Sequence, residues 1–341
     1  MNPYLSIVVA VRNDNYGGNF TQRLQRSLDW NTKWLEFHKV QCEMILVNWN
    51  PVPGNPSLKE VIVWPKNRSY VKFRIITVPT SIHQKFVKPA IRETVPLFEF
   101  IAKNVGIRRA NAEQVLSTNA DILLHPDICR LVGQMPIELN RFYRANRLDF
   151  RSHNITGVSS LLKNGFAISL KGFMYSLRPG LNKTIQFEVL KGWNNIRVWW
   201  ELLKSRHPNF FTRKRINVMF NNGGLHSHCL NSGDFMLMTK ENWVSQTAYP
   251  EHTPMALHTD ALFNVLASEM LEEKVFDSPI FHQEHERRYP WDSSQTNLKY
   301  KEAYVLFEQA SKASVRGEPT ASYRNSSSWG LPDVKLQEEV I

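Results

Sequence analysis

Read for its alternation of apolar and polar positions, the chain begins with a continuous apolar run, YLSIVVAV, that ends in the turn-rich RNDNYGGN. Such a run, bounded by turn residues, predicts a buried strand. Leu24, Leu28 and Leu35 then fall on one stripe at helical spacing, which predicts a helix with a single buried face. CEMILV, closing in NWNP, predicts a second strand and FRIITVP a third. PLFEFIAKNVGIRRA has helical spacing after Pro96, and AEQVLSTNADILL reads as the fourth strand. Alternating strands and helices, with strands apolar throughout, predict an α/β fold: a mostly parallel sheet with helices on both faces. Ligands of such sheets bind beyond the carboxyl ends of the strands, and RNDN, NWNP and NAD all fall there. Asn119 and Asp121 are expected to leave the sheet edge together, because residues i and i+2 of an extended chain point the same way.

From about residue 151 to 220 the alternation gives way to a segment rich in Arg, Lys and Trp. Within KGWNNIRVWWELLKSRH, Trp193, Ile196, Trp200 and Leu203 recur at spacings of three and four, one face of a basic amphipathic helix. The preferred reading packs this helix over a site as part of an acceptor-binding insertion; the alternative is peripheral contact with an anionic membrane. A later helix is predicted in NLKYKEAYVLFEQASKA, and the polar SVRGEPTASYRNSSSWG opens a mobile tail or a surface strap. The chain thus divides into 1–150, 151–220, 221–290 and a C-terminal 291–341.

Composition narrows the partners. With 341 residues, 42% hydrophobic and 21% charged, the chain can bury a sizeable core as a soluble globular protein. A formal net charge of +11 favours anionic partners: nucleic acid, an acidic membrane surface or a phosphate-bearing small molecule. Cys42, Cys129 and Cys229 lie far apart, so neither a disulfide framework nor a structural zinc site is expected and a reducing, cytoplasmic setting fits. His226, His228 and Cys229 read as a coincidental loop cluster, since no fourth ligand lies near. The run Leu5 to Val11 is too short to span a bilayer and no basic n-region precedes it, so neither a membrane helix nor a signal peptide is expected.

No GxGxxG follows the first strand and no GxxxxGK[ST] occurs, so neither a dinucleotide fingerprint nor a P-loop is supported. Paired Asp or Asn side chains at a strand end can instead hold a divalent metal, and the metal a diphosphate. LSIVVAVRND, CEMILVNWNP, FIAKNVGIRRANAEQVLSTNADILL and the later SGDFMLMTKENW, YPE, HTDALF and IFHQEH together make the chain similar to GT-A glycosyltransferases, in order and spacing, along roughly residues 4 to 290. The resemblance implies a nucleotide-sugar-binding first half and a second half carrying acceptor and base. The donor, a nucleoside diphosphate sugar with UDP-sugars favoured, would meet Val11, Arg12, Asn13, Asn48, Asn104, Asn119 and Asp121. Arg144 is the candidate for its phosphates, because the arginine fork donates in pairs. Gly233 and Asp234 resemble the turn beside donor sugar and acceptor, and an acidic residue, Asp260 or Glu251, would deprotonate the acceptor hydroxyl of a glycan or glycoconjugate. Asp121 with His282 or His285 would hold Mn²⁺ or Mg²⁺.

The sequence departs from the family in two places: Asn119 stands where the first Asp of the DxD motif is usual, and Asn48 where an Asp commonly follows the second strand. Asn119 and Asp121 also compete with a plainer role as caps of the helix beginning near Pro126. The expected activity is inverting, metal-assisted sugar transfer. The alternatives are a catalytically inactive nucleotide- or carbohydrate-binding module on the same fold, and a basic nucleic-acid-binding protein, for which no recognisable motif is present and which is not expected.

Overall fold

The computed structural model describes residues 3–86, 95–151, 155–177, 185, 189, 192–200, 232–252, 258–285 and 294–341, the last stretch with side chains from residue 304. The first apolar run forms β1 (Leu5–Val11), and the leucine stripe forms α1 (Phe20–Phe37). They are followed by β2 (Cys42–Trp49), α2 (Leu58–Val61), β3 (Val71–Val78), α3 (Thr80–Phe86) and α4 (Glu99–Arg109). β1 pairs in parallel with β2, and β2 with β3. Every residue of β1 and β2 is buried, the signature of strands covered on both faces. Leu24, Leu28 and Leu35 of α1 pack on one face of the sheet. Ile101, Ala102 and Val105 of α4 pack on the other.

AEQVLSTNADILL does not form one strand. It divides into β4 (Gln114–Thr118), parallel to β1, and the two-residue β5 (Ile122–Leu123). Between them the chain turns, with Ile122 N–H donating to Asn119 O at 3.3 Å, and β5 pairs antiparallel with a distant strand, β8 (Glu272–Gln283). α5 (Pro126–Gln134) follows; its N-cap is His125, whose ring accepts from Asp127 N–H at 3.1 Å, so neither Asn119 nor Asp121 caps it.

β6 (Arg141–Phe150) lies between β7 (Phe235–Thr239) and β8, so Arg144 and Arg147 sit on an interior strand. The sheet order is β5-β8-β6-β7-β4-β1-β2-β3-β9. β1 to β4, β6 and β8 point one way, while β5, β7 and β9 (Gln337–Val340) oppose them. The carboxyl ends of β1, β2, β4, β6 and β8 therefore share one edge, and β7 begins there.

α6 (Val158–Ser176) and the helical residues 192–200 cover the far end of β6 and β8. α7 (Lys240–Ser245) and α8 (Thr259–Ser268) complete the α4 face, and α9 (Ser294–Arg316) packs on α8. The C-terminal segment is a strap and not a tail. Trp329 is buried beneath the Arg108 guanidinium at 3.8 Å, Arg109 donates to Gly330 O, Leu331 O and Val334 O, and β9 pairs antiparallel with β3.

Residues 201–231, with His226, His228, Cys229 and Leu203, lie outside the described residues. In 192–200 the packed positions are Gly192, Asn195 and Val198, while Trp193 and Trp200 face outward. The tryptophan stripe is thus not the packed face, because small residues permit the close approach that indole rings would prevent.

Candidate active site

β1 and β2 end side by side, with Val11 opposite Asn48. Beyond them Asn13 closes the two loops on each other: its Oδ1 accepts from Val52 N–H at 2.6 Å and its backbone carbonyl accepts from Asn55 Nδ2 at 2.7 Å. Arg12 bridges Asn50 O and Asp14, each at 2.7 Å. Asn13 and Arg12 therefore build the floor of this end. Asn48 is different: it is buried, and its Oδ1 has no hydrogen-bond partner among the described residues. A buried unpaired amide oxygen costs stability unless something completes it.

The turn after β4 sends the NAD residues apart. Asn119 donates from Nδ2 to Asp234 at 2.8 Å and accepts at Oδ1 from Lys103 Nζ at 2.5 Å. Asp121 turns to the histidines, with His285 Nε2 at 3.3 Å and His282 Nε2 at 3.8 Å from its Oδ2. The expectation that both would leave the edge together fails because the chain reverses at Ala120 and alternation applies only to extended backbone. One ligand atom from each of Asp121, His282 and His285 lies within 4.8 Å of the others. Their side chains are 13%, 14% and 12% exposed. Burial would raise the Asp121 pKa, but His282, His285 and Arg23 outweigh it and hold the carboxyl well below the usual range.

His282 is itself held. Its Nδ1 lies 2.7 Å from Asp149 Oδ1, and Asp149 is its register partner across β6 and β8. With Nδ1 held by the Asp149 carboxylate, Nε2 is the ring atom that faces Asp121, the orientation a metal-ligating imidazole takes. Arg147 ties Asp149, at 3.2 Å, to Asp234, at 2.9 Å. Its pKa is raised: burial acts downward, and the two carboxylates outweigh it.

Asp234 and Gly233 occupy the short helical turn Ser232–Asp234 before β7. Gly233 O accepts from Lys103 at 2.9 Å and Gly233 N–H donates to Asp260 Oδ2 at 2.8 Å. A Cβ on Gly233 would stand 2.8 Å from Phe100 Cζ, so a side chain there must displace the ring. Asp260 lies in the first turn of α8, whose N-cap is His258 without a side-chain cap bond. Burial raises the Asp260 pKa, and the Gly233 and Ala261 amides with Arg144 only partly offset it.

Two candidates lie elsewhere. Asn104 is fully buried, with its amide donating to Tyr249 O and Glu251 Oε1 and accepting from Tyr249 N–H. Its amide is thus fully engaged within the packing of α4. Glu251 also accepts from Gly330 N–H at 2.9 Å, so it anchors the strap, and burial raises its pKa. Arg144, 1% exposed within β6, contributes charge near Asp260 and cannot reach solvent to grip a phosphate. Its neighbour at i+3, Arg147, reaches the edge instead.

Lys103, Arg23, Arg147 and Asp149 were missed as site residues. Arg23 donates to Tyr16 O, Gly17 O and Gly18 O, fixing the loop after β1, with its Nε 3.8 Å from Asp121. Arg147 had a signal in RFYRANRLD, as did Asp149 two residues on. Lys103 and Arg23 also have local partners, Glu99 and the Tyr16 to Gly18 carbonyls, but what makes them site residues, Gly233 for Lys103 and Asp121 for Arg23, lies far away in sequence.

No protein-family model matches the chain, and no curated protein matches it. Among solved structures it is similar to S. aureus TarS 1-349 in complex with UDP, at 12% identity and a TM-score of 0.45, and in complex with UDP-GlcNAc, at 12% and 0.43. Both alignments cover 90% of this chain, which spans 64% and 66% of those TarS chains. The galactosyltransferase LgtC, in complex with donor and acceptor sugar analogs, aligns over 89% of this chain and 95% of its own at 9% identity and a TM-score of 0.34.

Proposed function

We propose that the chain is a GT-A-type glycosyltransferase that moves a sugar from a nucleoside diphosphate sugar, a UDP-sugar first among the candidates, to a hydroxyl of a glycan or glycoconjugate. The observation that carries this reading is the Asp121, His282 and His285 cluster at the carboxyl edge, with His282 oriented by Asp149. One carboxylate and two imidazoles fit a divalent transition ion; of the two ions expected, Mn²⁺ suits them better than Mg²⁺, which prefers all-oxygen shells. When bound, such an ion neutralises a diphosphate and eases its departure as a leaving group.

The chain's own residues supply the rest. Asn48, at the end of β2 opposite Val11, carries an amide that both donates and accepts, the pattern a uracil edge matches, and its Oδ1 finds no partner among the described residues. Gly233, packed against Phe100, holds Lys103 and Asp260 at this turn through its carbonyl and amide. Asp260, with a raised pKa and some exposure, is the proton acceptor for the attacking hydroxyl. Direct displacement by that hydroxyl, with inversion, is the mechanism that one such base serves.

Calorimetry of the parent with Mn²⁺ and a panel of nucleoside diphosphate sugars tests the reading. Binding of at least one donor that strengthens with Mn²⁺, together with loss of Mn²⁺ binding in Asp121→Asn at an unchanged melting temperature, is expected. Equal Mn²⁺ affinity in parent and Asp121→Asn would sink it.

A further inference from the structure

α6 presents the wrong face to water. The side that packs on the protein is Leu161, Gly165, Ile168, Ser169 and Gly172. The side that faces out carries Phe166, Leu170, Phe173, Met174 and Leu177, exposed by 53%, 50%, 40%, 60% and 64%. These fall at spacings of three and four, so they form one continuous stripe and not scattered apolar residues. Trp193 and Trp200, 47% and 42% exposed, extend the surface from residues 192–200, and the Trp193 and Phe173 rings meet edge on at 6.0 Å.

The two helical segments touch through glycine: a Cβ on Gly192 would stand 2.4 Å from Gly172 Cα. Small residues between helices and large apolar residues outside is the arrangement of helices whose outer surroundings are lipid. Between residues 158 and 177 the only charges are Lys163 and Lys171, whose stems can lie along apolar surface with the ammonium groups at headgroup level. No helix among the described residues is long and apolar enough to cross a membrane, so the surface lies in an interface and does not span one.

We infer that α6 and residues 192–200 form a docking face for the surface of an anionic lipid bilayer. Charge selects this occupant over a second copy of the chain: two copies each carrying +11, with lysines set into the same patch, repel when the patch meets itself, whereas acidic headgroups attract it. The face is fixed to the candidate active site. Asn195, fully buried, accepts from Asp149 N–H at 3.2 Å and donates to Asp149 O at 3.2 Å and Gly165 O at 3.0 Å. Docking therefore sets the strand carrying Asp149 beside the bilayer, within reach of a hydroxyl borne on a lipid-anchored molecule. The lipid contact itself stands apart from the sugar-transfer reading.

Cosedimentation of the full chain with vesicles of phosphatidylcholine, with and without phosphatidylglycerol, tests the inference. Binding to the anionic vesicles that weakens with added salt is expected. Leu170→Ser with Met174→Ser should reduce it by about tenfold or more at an unchanged melting temperature, and Lys163→Glu with Lys171→Glu should remove the preference for phosphatidylglycerol. Failure to bind either vesicle, or full binding by both double variants, overturns it. Concentration-dependent dimerisation lost in Leu170→Ser with Met174→Ser would overturn it in favour of a second copy.

Discussion

At Asp260 stability and chemistry pull in opposite directions. Its ordinary pKa of 3.8 is raised by burial, so the folded state holds the proton more tightly than the unfolded chain. The contribution to stability is greatest at acid pH and falls as pH climbs from 3.8 through the raised value, because ionisation then costs more in the fold. Asn keeps an oxygen to accept the Gly233 amide and sheds the charge. Asp260→Asn is therefore expected to melt no lower than the parent near neutral pH while kcat falls by about 10² to 10⁴, the usual contribution of a general base. Melting scans from acid to neutral pH, run beside an assay of the purified variant, check both.

Lys103 and Asn104 show how finely the site depends on helix phase. Neighbours on a helix point about 100° apart; Lys103 meets Glu99, Asn119 and Gly233, while Asn104 meets Tyr249 and Glu251. The resemblance points to Asn104, but only the packing of α4 on β1 and β2 decides which side chain faces the edge. All three ammonium hydrogens of Lys103 are engaged and its side chain is fully buried. Lys103→Met leaves those acceptors unmatched and is expected to cost about 3 kcal/mol or more, read as a shift in the denaturation midpoint at constant m-value.

Among elements, the long apolar runs were legible because a strand buried on both faces admits little else. β1, β2 and β3 and helices α1, α4 and α9 lie where periodicity places them. The errors share one cause, contacts distant in sequence. β5 exists because β8 offers it a partner more than a hundred residues later. The packed side of 192–200 is set by Gly172 and by the backbone of Asp149, and an amphipathic stripe read alone cannot distinguish a face that packs from one left bare. Of the site, Asp121, His282 and His285 were legible as types suited to one role, and the fold brings them together; Asp149, which holds His282, was not, because its meaning comes from register.

For the whole molecule, the sheet among the described residues ends in β5 on one side and in β9 on the other. At β5 the exposed backbone is taken up by α1: Ser27 and Asn31 donate to Ile122 O, Trp30 donates to Leu124 O, and Asn31 accepts from Leu124 N–H. At the other margin the strap lays β9 along β3, with Arg74 bonded to Glu338 at 2.7 Å and Lys59 to Glu339 at 3.4 Å. A chain stopped before Gln337 bares β3, and light scattering on warming should show it aggregating at temperatures where the parent stays dispersed. The outermost strand, QEEV, carries adjacent glutamates on a protein of net charge +11. A copy of β9 brought alongside would set those carboxylates against their own kind, so the sheet's last strand is also its stop signal: it completes the sheet for one molecule and discourages the next from extending it.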